Sequence, residues 1–293
     1  MSLIVAGIDG SRSAVDAARW AAEEASAHGD TLRLVHAYVV PEHGYPAFAA
    51  TFPQLREGMR HQGTKWLDEA REEVGKVASD LRVETELVEG EPVPVLVGES
   101  RRARMTVLGS RGLGGFTGML VGSVAVGLTA HGHSPVIVVR GQRRSVSPDA
   151  PVVVGVDGSE SSTAALRFAF AEAADRRASL TVVRTWRGIF LDESVPRYPL
   201  KVDPHEIEEA ERAALTEQVA PLRDAYPDVA VELVVVRGRP VRTLLEYGER
   251  ARLLVVGSRG RSGFKGMLLG STSRALVVHA PCAVAVVRSA AGE

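Results

Sequence analysis

"GSRGLGGFTGMLVGS", Gly109 to Ser123, and "GSRGRSGFKGMLLGS", Gly257 to Ser271, are the stretches on which the fold turns. They lie 148 residues apart and share one spacing: a glycine, two residues, a glycine, nine residues, then Gly-Ser. Ordered glycine costs backbone entropy, so its concentration at the same place twice calls for a structural cause. The whole chain repeats at that interval. Asp9-Gly10-Ser11 returns as Asp157-Gly158-Ser159, "EGEP" ending at Pro92 as "RGRP" ending at Pro240, and His131 and Arg140 as His279 and Arg288. Between Ala103 and Ser123, 14 of 21 positions are identical to Ala251 through Ser271. This is a tandem duplication without net insertion. Residues 1–140 and 151–293 read as two like domains, and the polar, Pro-containing stretch 141–150 as the linker between them.

Each half alternates strand and helix. "LIVAGI", from Leu3, is a short, nearly continuous apolar run, as expected of a strand buried on both faces. Ser11 or Ser13 can cap the helix that follows, which carries Ala14, Ala17, Ala18, Ala21 and Ala22 before Gly29 stops it. "LRLVHAYV" is the second strand; a variable stretch from Pro41 to Pro53 leads into a long helix near Gln54 to Ser79. "RVETELV" is the third strand, a helix begins near Pro92, and "MTVLG" is the fourth strand. After the glycine loop come a helix from Ser123 and a fifth strand, "VIVV"; the second half repeats this from "VVVGV" to "AVAVV". The pattern predicts an α/β fold of two tandem doubly wound domains. Each is an open five-stranded parallel sheet, order 3-2-1-4-5, with helices on both faces.

On that scaffold strands one and four are neighbours where the strand order reverses, which is where open α/β sheets bind ligands. Asp9 and Gly109 then face one crevice, and Asp157 and Gly257 another. Gly122-Ser123 and Gly270-Ser271 begin helices, where unpaired N–H groups and the helix dipole favour an anion. Hydrogen bonds to a charged phosphate contribute roughly 1.5–3 kcal/mol each. Three or four of them, less ordering costs, reach about 8 kcal/mol, a micromolar affinity. Asp9 would be repelled by bare phosphate and suits ribose hydroxyls or a divalent cation.

Both halves resemble the universal stress protein domain, and the chain is similar to a tandem two-domain member of that family. The features carrying the resemblance are "GIDGS", "GVDGS" and the two spaced glycine motifs, and it covers Leu3 to Arg140 and Val152 to Arg288. The resemblance implies one ATP site per repeat, with Mg2+ as companion ion. Asp9 and Asp157 would contact ribose or metal. Gly109, Gly112, Gly122 and Ser123 would hold ribose and phosphates, as would Gly257, Gly260, Gly270 and Ser271. Gly7 and Gly155 would leave room beside the adenosine, and main chain near Val35 and Val183 would meet the adenine. Ser110, Gly115 and Val124, with Ser258, Gly263 and Thr272, complete the candidate set. Arg111 and Arg259 either touch a phosphate or cap a helix. The resemblance further implies a nucleotide-dependent regulator of the stress response that forms homodimers. A slow metal-dependent ATP hydrolase or phosphotransferase, or an adaptor with vestigial sites, are the alternatives.

The remaining features narrow the class. A net charge of −1 gives no overall attraction to nucleic acid or anionic membrane. No apolar run approaches the roughly 18 residues of a membrane span, the first residues do not read as a signal peptide, and a single cysteine, Cys282, fits a reducing cytoplasm. Walker, dinucleotide and hydrolase-elbow patterns are absent, and no general base is evident beside the phosphates. Binding without efficient turnover is expected. His131-Gly-His133 reads as a solvent-facing helix end, Cys282 as a passive thiol and His36 as structural. The second loop is more basic: Leu113-Gly114 becomes Arg261-Ser262, and Thr117 becomes Lys265. Strand five of each half is apolar and at a sheet edge, so the two edges are expected to meet across a pseudo-twofold axis within the chain.

Overall fold

The computed structural model describes residues 2–40, 51–113, 121–140, 147, 149–186, 203–261 and 269–289. Residues 41–50 of the variable stretch and seven of the ten residues of the expected linker lie outside them, as do Gly115, Thr117, Gly263 and Lys265. The chain divides into two compact units, Met1–Arg143 and Arg144–Glu293.

In the first unit the elements follow as β1 (Leu3–Gly7), α1 (Arg12–His28), β2 (Thr31–Tyr38), α2 (Phe52–Gly75) and β3 (Val83–Glu89). Then come α3 (Pro92–Ser100), β4 (Met105–Gly109), α4 (Ser123–His131) and β5 (Val136–Val139). The strands lie in the order β3-β2-β1-β4-β5, every pairing within the unit parallel. The second unit repeats this with β6 (Val152–Val156), α5 (Glu160–Asp175), β7 (Leu180–Trp186), α6 (Pro204–Ala225) and β8 (Val231–Arg237). It closes with α7 (Pro240–Gly248), β9 (Leu253–Gly257), α8 (Ser271–His279) and β10 (Ala283–Val287), ordered β8-β7-β6-β9-β10. The doubly wound reading therefore holds in both halves.

The residues explain the layers. Central strands are buried on both faces, with Ile4, Val5, Leu32, Leu34 and Met105 excluded from solvent, so both faces must be covered by helices. The helices α1 and α2 pack together, as do α3 and α4. Helix α1 buries Ala14, Ala17, Ala18, Ala21, Ala22 and Ala25. That stripe recurs every three or four residues and, having only methyl groups, lets the helix axis lie close to the sheet. Ser11 is its N-cap, accepting from the Ala14 N–H at 3.1 Å, and Gly29 ends it at φ 65°. Of the two serines offered as cap, Ser11 caps and Ser13 turns elsewhere. Helix α2 begins two residues before Gln54, with Pro53 in its first turn, and stops at Gly75 rather than Ser79. Among the described residues no helix is long and apolar enough to cross a membrane.

The units differ above the turn after the first strand. Gly10 and Gly158 both take φ 82°, the left-handed region where a side chain is strained. Over Gly10 lies the indole of Trp66, which also meets His36 edge-on with ring centroids 5.2 Å apart. Over Gly158 nothing among the described residues lies within 4 Å, because the residue aligned with Trp66 is Ala214. Gly158→Ala is expected to cost about 1–2 kcal/mol from backbone strain alone. Gly10→Ala is expected to cost more, because Trp66 must also move; urea denaturation of the two variants checks this, and equal losses would remove Trp66 from the account.

Candidate functional site

At the end of β1 the chain runs into Asp9, and at the end of β4 it enters the glycine loop. Pairing of β1 with β4 brings the two together. Asp9 lies two residues beyond the strand rather than at its last position. Its Oδ1 accepts the Ser11 N–H at 3.0 Å, and its Oδ2 accepts the Leu113 N–H at 3.1 Å from the loop. The Ser11 hydroxyl donates to the Arg111 carbonyl at 3.1 Å, and the Arg111 N–H reaches Ser13 Oγ at 3.4 Å. The Gly122 N–H then donates to the Ser110 carbonyl at 2.9 Å, closing the loop's ends on one another.

The second unit uses the aligned atoms. Asp157 Oδ1 accepts the Ser159 N–H at 3.0 Å and hydroxyl at 2.6 Å, and Oδ2 accepts the Arg261 N–H at 2.9 Å. Ser161 Oγ donates to the Arg259 carbonyl and accepts the Arg259 N–H, while the Gly270 N–H donates to Ser258 at 2.7 Å. Ser13 and Ser161 as loop anchors were missed in the sequence, although their recurrence at the repeat interval was the available signal. Burial alone would raise the Asp157 carboxyl, but the Ser159 hydroxyl and N–H, the Arg261 N–H and Ser162 outweigh it and hold the pKa below the ordinary aspartate value.

Several glycines have a packing reason independent of any ligand. A Cβ at Gly109 would lie 2.6 Å from the Ser13 carbonyl carbon, and one at Gly257 2.7 Å from that of Ser161. These glycines let the first turn of α1 or α5 sit on the strand end. A Cβ at Gly112 would run into Asp9 Oδ2, and one at Gly260 would lie 2.5 Å from Asp157 Oδ2. The space above Gly7 is taken by Leu108 and Leu96, and that above Gly155 by Leu244. The room expected beside an adenosine is thus occupied in part by leucine.

The helix starts remain open. Gly122 and Gly270 are the N-caps of α4 and α8, and neither helix has a side-chain cap. The first bonds within them run from Val126 to Gly122 at 3.2 Å and from Arg274 to Gly270 at 2.9 Å. That leaves the N–H groups of Ser123, Val124 and Ala125, and of Ser271, Thr272 and Ser273, without a partner inside the helix. In the second unit they border a crevice of about 450 Å3, ample for a small ligand. Gly155, Asp157, Val183, Gly257, Arg259 and Gly260 line it, together with Gly270, Ser271 and Thr272. Thr185, Pro240 and Leu244 line it too and were not foreseen. Ser110 and Ser258 are buried; their N–H groups donate to the Val139 and Val287 carbonyls, and their own carbonyls accept the loop-closing N–H of Gly122 and Gly270. Val35 is buried, and its carbonyl accepts the Ile8 N–H at 2.8 Å.

The lesser features fall away from the site. His36 is buried, and its Nδ1 meets the Ile8 carbonyl at 2.7 Å, a structural contact. His131 is exposed at its helix end, with Nδ1 2.9 Å from the Gly127 carbonyl. Burial pushes the Cys282 thiol up to about 12.

The molecule is thus a tandem doubly wound α/β protein whose two switch points each carry a glycine loop pinned by aspartate and serine. The universal stress protein family model matches residues 1–140 and 150–288, and the chain belongs to that family. Universal stress protein Rv2623 of Mycobacterium tuberculosis is 38% identical over 291 residues, covering 97% of this chain and 96% of its own. Universal stress protein Rv1996 of the same organism is 38% identical over 303 residues, covering 97% and 94%. A crystal structure of a universal stress protein from Archaeoglobus fulgidus DSM 4304 shares the fold, with a TM-score of 0.66, 19% identity and 98% coverage of both chains.

Two outcomes are expected. A depressed carboxyl pKa favours the attached loop above the ordinary aspartate value, and the attachment is lost as pH falls through the folded-state value. The Arg261 amide resonance should therefore titrate with a midpoint below that of a free aspartate, and Asp157→Asn should abolish the step. Cys282 should react with iodoacetamide at pH 8 far more slowly in the native protein than after unfolding, since the thiolate is the reactive form.

Proposed function

We propose that each repeat binds ATP and that the protein acts as a nucleotide-dependent regulator of the stress response. The observation that carries this is the uncapped start of α4 and of α8, offering three main-chain N–H groups at the carboxyl end of the sheet. Beside it stands an aspartate whose Oδ2 keeps acceptor capacity after taking one N–H from the loop. In this reading the Ser123–Ala125 and Ser271–Ser273 N–H groups, with the Ser123 and Ser271 hydroxyls, take phosphate oxygens. Asp9 and Asp157 take ribose hydroxyls or a Mg2+ ion, which would offset phosphate charge. Arg111 and Arg259, exposed beside the loops, add positive charge. The donor set suits this: main-chain amides and hydroxyls for an anion, a carboxylate for a sugar or a hard cation.

Regulation requires that ATP favour one state over another. The loops Leu113–Met119 and Arg261–Met267 are the proposed responders. A homodimer belongs to the same proposal and is tested by sedimentation velocity.

The deciding experiment is calorimetric titration of the full chain with ATP, preceded by mass analysis of small molecules released on denaturation. Two ATP per chain are expected. Asp157→Ala or Gly270→Val should weaken one site by at least roughly tenfold, the loss of one charged hydrogen bond or more. A variant altered at Asp9 and Asp157 together that keeps wild-type affinity would reject the assignment.

A further inference from the structure

The two units carry the same loop but different electrical surroundings. Six aligned positions sit at the carboxyl ends of the strands or in the turns and helix starts that follow. In the second unit these are Arg237 at the end of β8, Arg239 at the N-cap of α7, Arg259 and Arg261 in the loop, Arg274 in the first turn of α8, and Arg288 after β10. In the first unit they are Glu89, Glu91, Arg111, Leu113, Val126 and Arg140. At these positions six positive charges stand against two positive and two negative; the helix start after the first strand runs the other way, with Glu160 where the first unit has Arg12.

Asp157, Glu160 at the start of α5, and Asp203 and Glu206 at the start of α6 stand at the same end of the second unit, and the arginines outnumber them. Among the described residues none of the six arginines forms an ion pair; Arg237 lies over the Trp186 ring, 5.8 Å from its centroid. Five of them are exposed. The sixth, Arg288, is half-buried, and burial together with the like charge of Arg259 lowers its pKa, so both guanidinium groups share one neighbourhood. In the first unit Glu89 instead accepts from Arg56 at 3.1 Å and from the Tyr38 hydroxyl at 3.2 Å, and Leu113 stands 58% exposed where Arg261 would be. Like charges gathered around a concave site attract a polyanion and raise its local concentration. Guanidinium forks also match phosphate oxygens.

Resting on the nucleotide reading above, we propose that the second unit binds a nucleotide polyphosphate as the bare polyanion and discriminates by phosphate number. The first unit, with a balanced rim, takes the nucleotide only when a divalent cation has reduced its charge. The two repeats are then sensors of different species rather than duplicate sites.

The test is titration of the full chain with AMP, ADP and ATP, in chelator and in Mg2+, at about 0.1 M salt and above, where screening weakens exposed charges. The wild-type chain should bind one equivalent of ATP without a cation, with affinity rising from AMP to ATP and falling with salt. The second equivalent should appear only with Mg2+. Arg239→Glu, Arg261→Leu and Arg274→Val together install the first unit's residues at exposed positions, so the fold should be retained, as circular dichroism melting checks. This variant should lose at least roughly tenfold in cation-free ATP affinity while AMP changes little. Conversely, Glu91→Arg with Leu113→Arg should confer cation-free ATP binding on the first unit. Unchanged cation-free affinity in the triple variant, or ATP binding that needs Mg2+ at both sites, would overturn this proposal and leave the nucleotide reading standing. No uptake of any adenine nucleotide under either condition would overturn both.

Discussion

A carboxylate oxygen accepting a main-chain N–H from 104 residues away holds each site together. Asp9 and Asp157 lie just past the first strand of their units, and the loops they grip follow the fourth. They meet because those strands are neighbours in a parallel sheet. A glycine-rich loop has a large entropy to lose on ordering, and the aspartate, two serines and the closing bond from Gly122 or Gly270 offset that loss at fixed points. The helix start beyond the loop is thereby placed with its amides exposed. The aspartate acts first on the protein itself, and what remains of its acceptor capacity is available to a ligand.

The same fastening constrains which residues can vary. Glycine at 109 and 257 lets the helix backbone rest on the strand end, and glycine at 112 and 260 lets the carboxylate reach the loop. The motif would thus be needed for packing even in a chain that bound nothing. Outside it the repeats have diverged in compensated groups. His36, Gly63 and Trp66 of the first unit correspond to Arg184, Glu211 and Ala214 of the second. Gly63 makes space for the imidazole, whereas Glu211 pairs with Arg184 at 2.5 Å. Each trio packs the same region between its second strand and the long helix, one by aromatic contact and the other by an ion pair.

That divergence bears on function as well as stability. Where Trp66 closes over Gly10, the turn carrying Asp9 is covered; no described residue covers Gly158 in the same way. The arginines at the carboxyl ends of the second unit's strands add positive charge that the first unit lacks. A duplicated gene has kept one clasp twice and surrounded it with different chemistry.

The strand and helix alternation, the duplication, the sheet order and most element boundaries were legible in the residues. Hydrophobic runs, alanine stripes and glycine stops act locally, within a few positions of the chain. The site was legible as a set of residue types at a fixed interval, including Asp9, Asp157 and the Gly-Ser pairs. Three things needed the tertiary structure. It assigned the aspartate oxygens to the loop, gave Ser13 and Ser161 to that loop rather than to the helix cap, and filled the space above Gly7 and Gly155 with leucine. It also put arginines scattered from 237 to 288 at the carboxyl end of one sheet. Sequence spacing carries no information on which distant atoms share a lone pair or a few ångströms of space; the sheet order and the helix approach decide that.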